Sequence, residues 1–413
     1  MPPPQSIALY LHVPFCRHKC AYCDFNSFEH HPERQGEEQV SYVAALLEEL
    51  RRVPQLIGPG RGIASIFVGG GTPSLLRPDL LEEVLRTARE VACRARAPHT
   101  PAGRGTELEF TVEANPGSLS DAVCAVLVGS GCTRLSLGAQ SFDDTILRQL
   151  DRIHRADEID AAVRRARRAG VENLNLDLMF GAPGQDLATW RRSLDHAIAL
   201  EPEHLSLYCL TIEKGTPFFS LQERGALPLP DEEAQLAMYE AAMESAEAAG
   251  YEHYEVSNFA RPGRRSRHNQ LYWENAEYVG CGAGAVSKLN GQRFRNHSKP
   301  EHYAAAIRER GRAAHWRERL DADTRRTEAV MLGLRLREGI ALRRFPEHHG
   351  VAFEEHYARP LQHLVAQGLL ELTPERCRLT RRGLFLADAV ILELIKETPA
   401  EAASAVGAPQ AGS

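Results

Sequence analysis

For its first 250 residues the chain alternates strand patterns with helical ones, at about 30 residues per unit. Apolar strand patterns fall at Ala8 to Val13, Ala64 to Val68, Leu108 to Val112, Arg134 to Gly138, Asn173 to Leu178 and His204 to Leu210. Helical spacing follows at Gln39 to Arg52, Pro78 to Ala92, Ser120 to Val128, Asp157 to Ala169, Thr189 to Leu200 and Asp231 to Ala249. A strand that returns through a helix lies parallel to its predecessor, so the pattern dictates an α/β fold built of βα units. Six units favour a closed or partial barrel over an open doubly wound sheet. Periodicity alone does not separate the two.

The pattern changes after Gly250. Residues 251–315 are rich in Tyr, Asn, Gly and His and are expected to form a connecting region. Residues 316–396 read as a mostly helical, winged-helix-like domain. Its order is helix (Asp323 to Arg337), helix (Phe353 to Gln367), a small hairpin (Leu369 to Leu372, Cys377 to Leu379) and a final helix. Residues 397–413, rich in Ala, Pro, Gly and Ser, are expected to be disordered. At 413 residues, two domains with a large core in residues 1–250 are the natural division.

Charge excludes one class of function. A formal net charge of -6 gives no basic footprint for nucleic acid, and the Arg164 to Arg168 run alternates with Ala as a solvated helix face does. No stretch approaches the roughly 20 apolar residues of a membrane span. Met1 to Ser6 lacks the charged and apolar regions of a secretory signal. Of nine cysteines, Cys93, Cys124, Cys132, Cys209, Cys281 and Cys377 are scattered singly, which is no disulfide framework and fits a reducing cytoplasm.

The other three are different. Cys16, Cys20 and Cys23 fall within eight residues, just after the first strand. Thiolates that close suit a metal or a cluster better than a packed core. A cubane cluster held by three cysteines leaves one iron open to an outside ligand. Distinctive polar residues then close the next strands: Gly69 to Thr72 the second, Glu113 the third, Gln140 the fourth, with Asp177 inside the fifth. In βα barrels the active site lies at the C-terminal strand ends. Each residue alone reads as a turn or cap; five in succession aim at one face. The glycine run lets backbone approach a ligand, yet it is neither a Walker A loop nor a dinucleotide fingerprint.

Cys-x3-Cys-x2-Cys with Tyr22 before the last Cys, then Gly-Gly-Gly-Thr-Pro, resembles the radical S-adenosylmethionine (SAM) superfamily. The resemblance implies a partial (β/α)6 barrel, a [4Fe–4S] cluster on Cys16, Cys20 and Cys23, and SAM chelating the open iron. In that family the cluster reductively cleaves SAM to a 5′-deoxyadenosyl radical. Within it, Tyr-Leu-His-Val-Pro-Phe-Cys, Glu-Ala-Asn-Pro-Gly, Gly-Ala-Gln-Ser-Phe and Asn-Leu-Asp-Leu-Met-Phe-Gly-Ala-Pro resemble the group of oxygen-independent coproporphyrinogen III dehydrogenase. Carried over, Tyr10 contacts SAM near the cluster and Tyr22 does so through backbone. Gly70, Gly71 and Thr72 take the methionine amino end. Glu113 and Gln140 face the nucleoside, Arg152 the SAM carboxylate, Asp177 the ribose hydroxyls and Thr211 the adenine.

Two departures point away from the dehydrogenases and toward the heme chaperones of the same group. Phe25 stands where the dehydrogenases carry a fourth Cys, and their N-terminal extension is absent. His268-Asn269-Gln270-Leu271-Tyr272-Trp273 resembles the chaperones' heme-associated block. A neutral imidazole is a normal axial ligand, and Tyr and Trp offer flat faces to a porphyrin. The same four side chains, His268, Asn269, Tyr272 and Trp273, also suit a buried polar network that packs a loop. Arg261, Arg264, Arg265 and Arg267, just before the block, read as an exposed basic loop.

The resemblance thus implies a heme chaperone: cluster and SAM as cofactors, heme as cargo, and heme-accepting proteins such as respiratory cytochromes as partners. It implies no classical turnover and leaves open SAM cleavage, a homodimer and peripheral membrane contact. Two rivals remain. One is oxidative decarboxylation of coproporphyrinogen III on the same scaffold. The other is a zinc- or cluster-bearing regulator with a DNA-binding winged helix, disfavoured because structural zinc wants four ligands.

Overall fold

A computed structural model describes residues 6–30, 35–95 and 108–396. Residues 1–5, 31–34, 96–107 and the tail 397–413 lie outside the described residues. The chain divides into two compact units. One holds residues up to 253, 257–272 and 276–319; the other holds 254–256, 273–275 and 320 onward.

The first unit is an α/β fold built on six parallel strands. They are β1 (Ser6–Val13), β2 (Gly62–Gly70), β3 (Glu109–Ala114), β4 (Arg134–Gln140), β5 (Leu174–Phe180) and β6 (His204–Cys209). Each pairs in parallel with the next. The intervening helices are α1 (Gln35–Ile57), α2 (Pro78–Arg94), α3 (Asp121–Gly129), α4 (Asp144–Gln149), α5 (Ala156–Arg168) and α6 (Leu187–Ala199), then α7 (Pro217–Glu223) and α8 (Glu232–Ala248). These strands and helices form the expected partial barrel. Period-2 burial explains it: Leu9, Leu11, Ile66, Val68, Phe110 and Val112 are fully buried under the helices. Their strand neighbours Tyr10, His12, Ser65, Phe67, Thr111 and Glu113 share the opposite face. That opposite face carries the site.

Helix starts follow local chemistry. Ser120, Asp143, Asp186 and Asp231 each accept a backbone N–H of the first turn, which fixes where α3, α4, α6 and α8 begin. The short α4 carries too few residues for a periodic pattern, and only its Asp143 cap marks it in the sequence.

The stretch 251–315, expected as a connecting region, extends this sheet. It supplies β7 (Glu252–Glu255), β8 (Asn258–Ala260), helix α9 (Arg267–Trp273), β9 (Tyr278–Cys281), β10 (Val286–Leu289), β11 (Gln292–Asn296) and helix α10 (Pro300–Arg310); β12 (Ala314–Arg319) follows. The twelve strands run β12-β11-β10-β9-β1-β2-β3-β4-β5-β6-β8-β7. β9 lies parallel to β1, while β10, β11 and β12 form an antiparallel meander. Among the described residues the sheet has two ends and does not close.

The second unit contains helix Ala322–Gly333 and a three-stranded sheet of Ile340–Ala341, Arg376–Leu379 and Leu370–Leu372. The helix expected over Phe353 to Gln367 is broken into Phe353–His356 and Ala358–Ala366. Pro360 clashes with the carbonyl four residues back, at His356, and so ends the first piece. Among the described residues no helix is long and apolar enough to cross a membrane.

Candidate functional site

After β1 the chain forms a two-residue bridge, Phe15–Cys16 beside Phe28–Glu29, which closes residues 17–27 into a loop. The Cys23 N–H donates to the Cys20 carbonyl at 3.0 Å, and the His30 N–H to the Cys16 carbonyl at 2.8 Å. All three thiols are free. Cys16 is buried, and Cys20 and Cys23 are half-buried. Burial pushes the Cys16 and Cys23 thiols up.

The glycine run holds this loop. The Gly71 N–H donates to Val13 and the Thr72 N–H to Phe15, both at 2.7 Å, while Thr72 Oγ1 approaches Cys16 Sγ at 3.7 Å. Gly70 donates its N–H to Glu113 Oε2 at 3.1 Å and takes φ 113°, a value a side chain rarely adopts. The run is therefore already engaged through its N–H groups. Only its carbonyl oxygens suit an incoming ammonium group.

Arg152, half-buried, converges on the same place. Nη1 lies 3.5 Å from Cys20 Sγ, and Nη2 donates to Asn115 Oδ1 at 2.7 Å and to the Gly138 carbonyl at 3.0 Å. Its Nε has no partner. Burial opposes the charge, but Tyr22 and Cys20 beside it hold the guanidinium protonated. Asn115 completes the link by donating to Thr72 Oγ1 at 3.0 Å. It stands two residues past Glu113 in the Glu-Ala-Asn-Pro-Gly block, where it reads as a turn residue in the sequence alone.

Glu113 and Asp177 are two half-buried carboxyl groups. Burial first, then Asp177, push Glu113 up to about 8. Burial raises Asp177 as well, against hydrogen bonds from Asn175 at 2.7 Å and Ser136 at 3.2 Å. Gln140 takes φ 65° at the end of β4, beside a register shift. A non-glycine residue held there is strained, and such positions cluster at working sites. Tyr22 packs toward Phe218, with ring centroids 6.3 Å apart. Thr211 is exposed in the loop after β6.

Thr72 and Arg152 thus meet the cysteine loop, and Glu113 joins Gly70 and lies near Asp177. Among the described residues no three Cys, His, Asp or Glu side chains converge on a single ion. A cubane makes a different demand, since each thiolate binds its own iron. Three unbridged thiols on one clamped loop, with an orphaned guanidinium nitrogen and two carboxyl groups alongside, fit a cluster and a zwitterionic nucleoside.

A second cavity, of about 380 Å³, is lined by Tyr10, His12, Phe67, His268, Asn269, Tyr272 and Tyr278, with Gly284, Ala285 and Val286. His12 Nε2 donates to the Asn26 carbonyl at 2.8 Å, so Nδ1 accepts from the Tyr10 hydroxyl at 2.9 Å. Asn26 lies three residues past Cys23. A hydrogen-bond chain therefore joins the cysteine loop to this cavity. Helix α9 is fixed by Glu109, which accepts the N–H of Arg267 at 2.7 Å and of His268 at 2.9 Å. His268 is 1% exposed; Nδ1 pairs with Ser65 Oγ at 2.9 Å and Nε2 is buried without a partner. Its ring stacks on Phe67 at 5.0 Å and meets Tyr272 edge-on at 4.9 Å. Burial, with Arg134 adding to it, pushes the imidazole down to about 3, so it is neutral. In this conformation Nδ1 is engaged by Ser65, while Nε2, shut off from solvent, has no partner. Trp273 belongs to the second unit, where the Arg335 guanidinium lies 5.5 Å over its ring.

Comparison with known proteins gives the chain's family. Residues 10–197 match the radical SAM superfamily and residues 320–386 the HemN C-terminal domain. The chain is 36% identical to the heme chaperone HemW of Bacillus subtilis, over 92% of this chain and 97% of that one. It is 36% identical to the heme chaperone HemW of Escherichia coli, over 93% and 96%. It is 33% identical to the mitochondrial radical S-adenosyl methionine domain-containing protein 1 of Bos taurus, over 95% and 88%. Its fold matches the coproporphyrinogen III oxidase HemN of Escherichia coli with a TM-score of 0.78 at 22% identity, over 95% and 90%. The chain belongs to the radical SAM superfamily and, within it, to the family of the heme chaperone HemW.

Proposed function

We propose that the protein is a heme chaperone that binds a [4Fe–4S] cluster, SAM and heme and passes heme to acceptor hemoproteins. The observation that carries this reading is the hydrogen-bond chain from Asn26 through His12 to Tyr10, which links the cysteine loop to the aromatic cavity at His268. Cys16, Cys20 and Cys23 are the proposed cluster ligands. When bound, the cluster supplies an open iron for the SAM amino and carboxylate groups and electrons for its carbon–sulfur bond. Arg152 offers its unpaired Nε to the SAM carboxylate, and in the run Gly70, Gly71 and Thr72 the two glycines offer carbonyl oxygens to the ammonium, since the Thr72 carbonyl already accepts the Leu75 N–H. Asp177 accepts from ribose hydroxyls, Glu113 and Gln140 frame the nucleoside, and Tyr10, Tyr22 and Thr211 complete its walls.

For heme, Tyr272 supplies a flat wall and Asn269 a polar edge. His268 orders Tyr272 at rest, and with Nδ1 held by Ser65 its unpartnered Nε2 is the nitrogen left for iron. Trp273 follows on the same helix. Acceptor proteins and a location in the cytoplasm, with or without a membrane contact, belong to the same reading.

The test is a heme titration of cluster-loaded protein, with and without SAM, followed by optical spectra. Binding near stoichiometry is expected, with His268→Ala or Tyr272→Ala weakening it at least tenfold. No heme binding sinks the reading. Anaerobic incubation with SAM, reductant and coproporphyrinogen III is expected to yield no protoporphyrinogen, and its formation assigns the dehydrogenase activity instead.

A further inference from the structure

The cavity at His268 offers a porphyrin aromatic walls but no cation. None of its lining residues is Lys or Arg, and burial, with Arg134 adding to it, keeps the His268 imidazole neutral. The sheet continues past the cavity wall, all within the first unit. Tyr278 on β9 stands opposite Lys288 on β10, and Val286, two residues before Lys288, stands opposite Arg295 on β11. Arg295 in turn stands opposite Trp316 on β12, before the register slips at Asn296. Residues directly opposite in an antiparallel pair share a face, as do alternate residues along a strand. Tyr278 and Val286 line the cavity, so Arg295 and Trp316 stand on the cavity's face of the sheet. Phe294 and Arg317, one residue along on each strand, meet on the other face, with the guanidinium 5.2 Å over the ring. The charge of Arg295 is felt inside the cavity: burial pushes the His12 imidazole down, and Arg295 acts in the same direction. The neighbouring Arg293 is taken by Glu318 at 3.2 Å. Arg295 is exposed, and among the described residues no carboxylate pairs with it. Trp316 is 43% exposed. Two strand spacings place it roughly 10 Å beyond Val286.

We propose that the β10–β12 face completes the porphyrin site, with Arg295 pairing with a porphyrin carboxylate and Trp316 covering the edge of the macrocycle beyond the cavity. The inference rests on the reading of the chain as a heme carrier. Heme is an apolar disc with both carboxylates on one edge. An aromatic cavity that opens along one strand row onto an unpaired guanidinium and an open indole has the same division. The planar guanidinium can take a carboxylate through two parallel N–H donors, and the indole offers a flat apolar face.

The test uses the full cluster-loaded chain and two fluorescent probes, zinc protoporphyrin and its dimethyl ester, which lacks free carboxylates. Arg295→Gln is expected to weaken the dicarboxylate about tenfold and to leave the ester unchanged. Arg295→Lys is expected to keep part of that affinity. Trp316→Ser is expected to weaken both probes about tenfold, and Trp316→Phe to retain most binding. Arg317→Gln, on the other face, is expected to change neither. Cluster absorbance and SAM binding are expected to stay at wild-type levels in all of these variants, which separates the sheet face from the cofactor site. Wild-type affinity for both probes in Arg295→Gln and Trp316→Ser overturns the extension while the carrier reading stands. Equal loss of dicarboxylate and ester in Arg295→Gln overturns the carboxylate pair. Loss in Arg317→Gln as large as in Arg295→Gln overturns the choice of face. Retained probe affinity with lost transfer to an apo-hemoprotein also overturns the extension and assigns the face to protein docking. Absence of porphyrin binding in the wild type overturns both readings.

Discussion

Glu113 couples the site to stability through its proton. Half-buried at the end of β3, it accepts the Gly70 N–H and lies near Asp177. Its folded pKa, about 8, lies above the unfolded value, so its contribution to stability is complete at low pH. That contribution is lost as pH rises from about 5 to about 8. The melting temperature of the ligand-free protein is expected to fall across that window, and Glu113→Gln to flatten the fall. An unchanged slope in Glu113→Gln shows that another group titrates. Gly70 is the second sensitive residue. Its φ is 113°, and a Cβ there meets the His12 ring. Gly70→Ala is expected to cost about 1–3 kcal/mol in chemical denaturation. It is also expected to displace His12 from Asn26, which the His12 side-chain NMR resonances report.

Helix α9 shows how one element borrows its position from another. Its seven residues are too few to be stable alone. Glu109, on β3, accepts two of its first backbone N–H groups, which cap the helix and favour its dipole. Leaving those donors unmet costs about 1–3 kcal/mol. Glu109→Ala is expected to speed amide exchange at residues 267–269 and to weaken heme binding, with the cluster absorbance intact. Slow exchange in that variant means that packing of His268 on Phe67 suffices. The antiparallel meander β10–β12 matters in the same way. β9 pairs with β1 in parallel and brings Tyr278, Gly284 and Ala285 to the cavity wall.

Cofactor binding is expected to act on the whole molecule by mass action. A ligand that binds only the folded state at a hundred times its Kd adds about 2.7 kcal/mol. Cluster-loaded protein is therefore expected to melt higher in SAM than without it. The Cys16→Ser, Cys20→Ser, Cys23→Ser triple variant is expected to lose that gain, because Arg152 and Glu113 alone lack the open iron. An equal SAM-dependent rise in the triple variant separates SAM binding from the cysteine loop.

The six parallel strands and their helices were legible in the sequence because period-2 and period-3.6 burial is local chemistry. The cysteine loop, the glycine run, Glu113, Gln140 and Asp177 were legible because strand ends of βα units share one face. Gln140 adds positive φ, which no pattern of residue types reveals. What only the tertiary structure decided lies across the chain. Residues 251–315 read as a connector because their strands are short and pair with partners far away. Asn115, Ser65, Phe67 and Glu109 acquire roles only when β2 and β3 sit beside the cysteine loop and α9. His268 carried two readings in the sequence, ligand and packing residue. The structure finds it engaged at Nδ1 and sealed at Nε2, because a side chain's free lone pair depends on neighbours two hundred residues away.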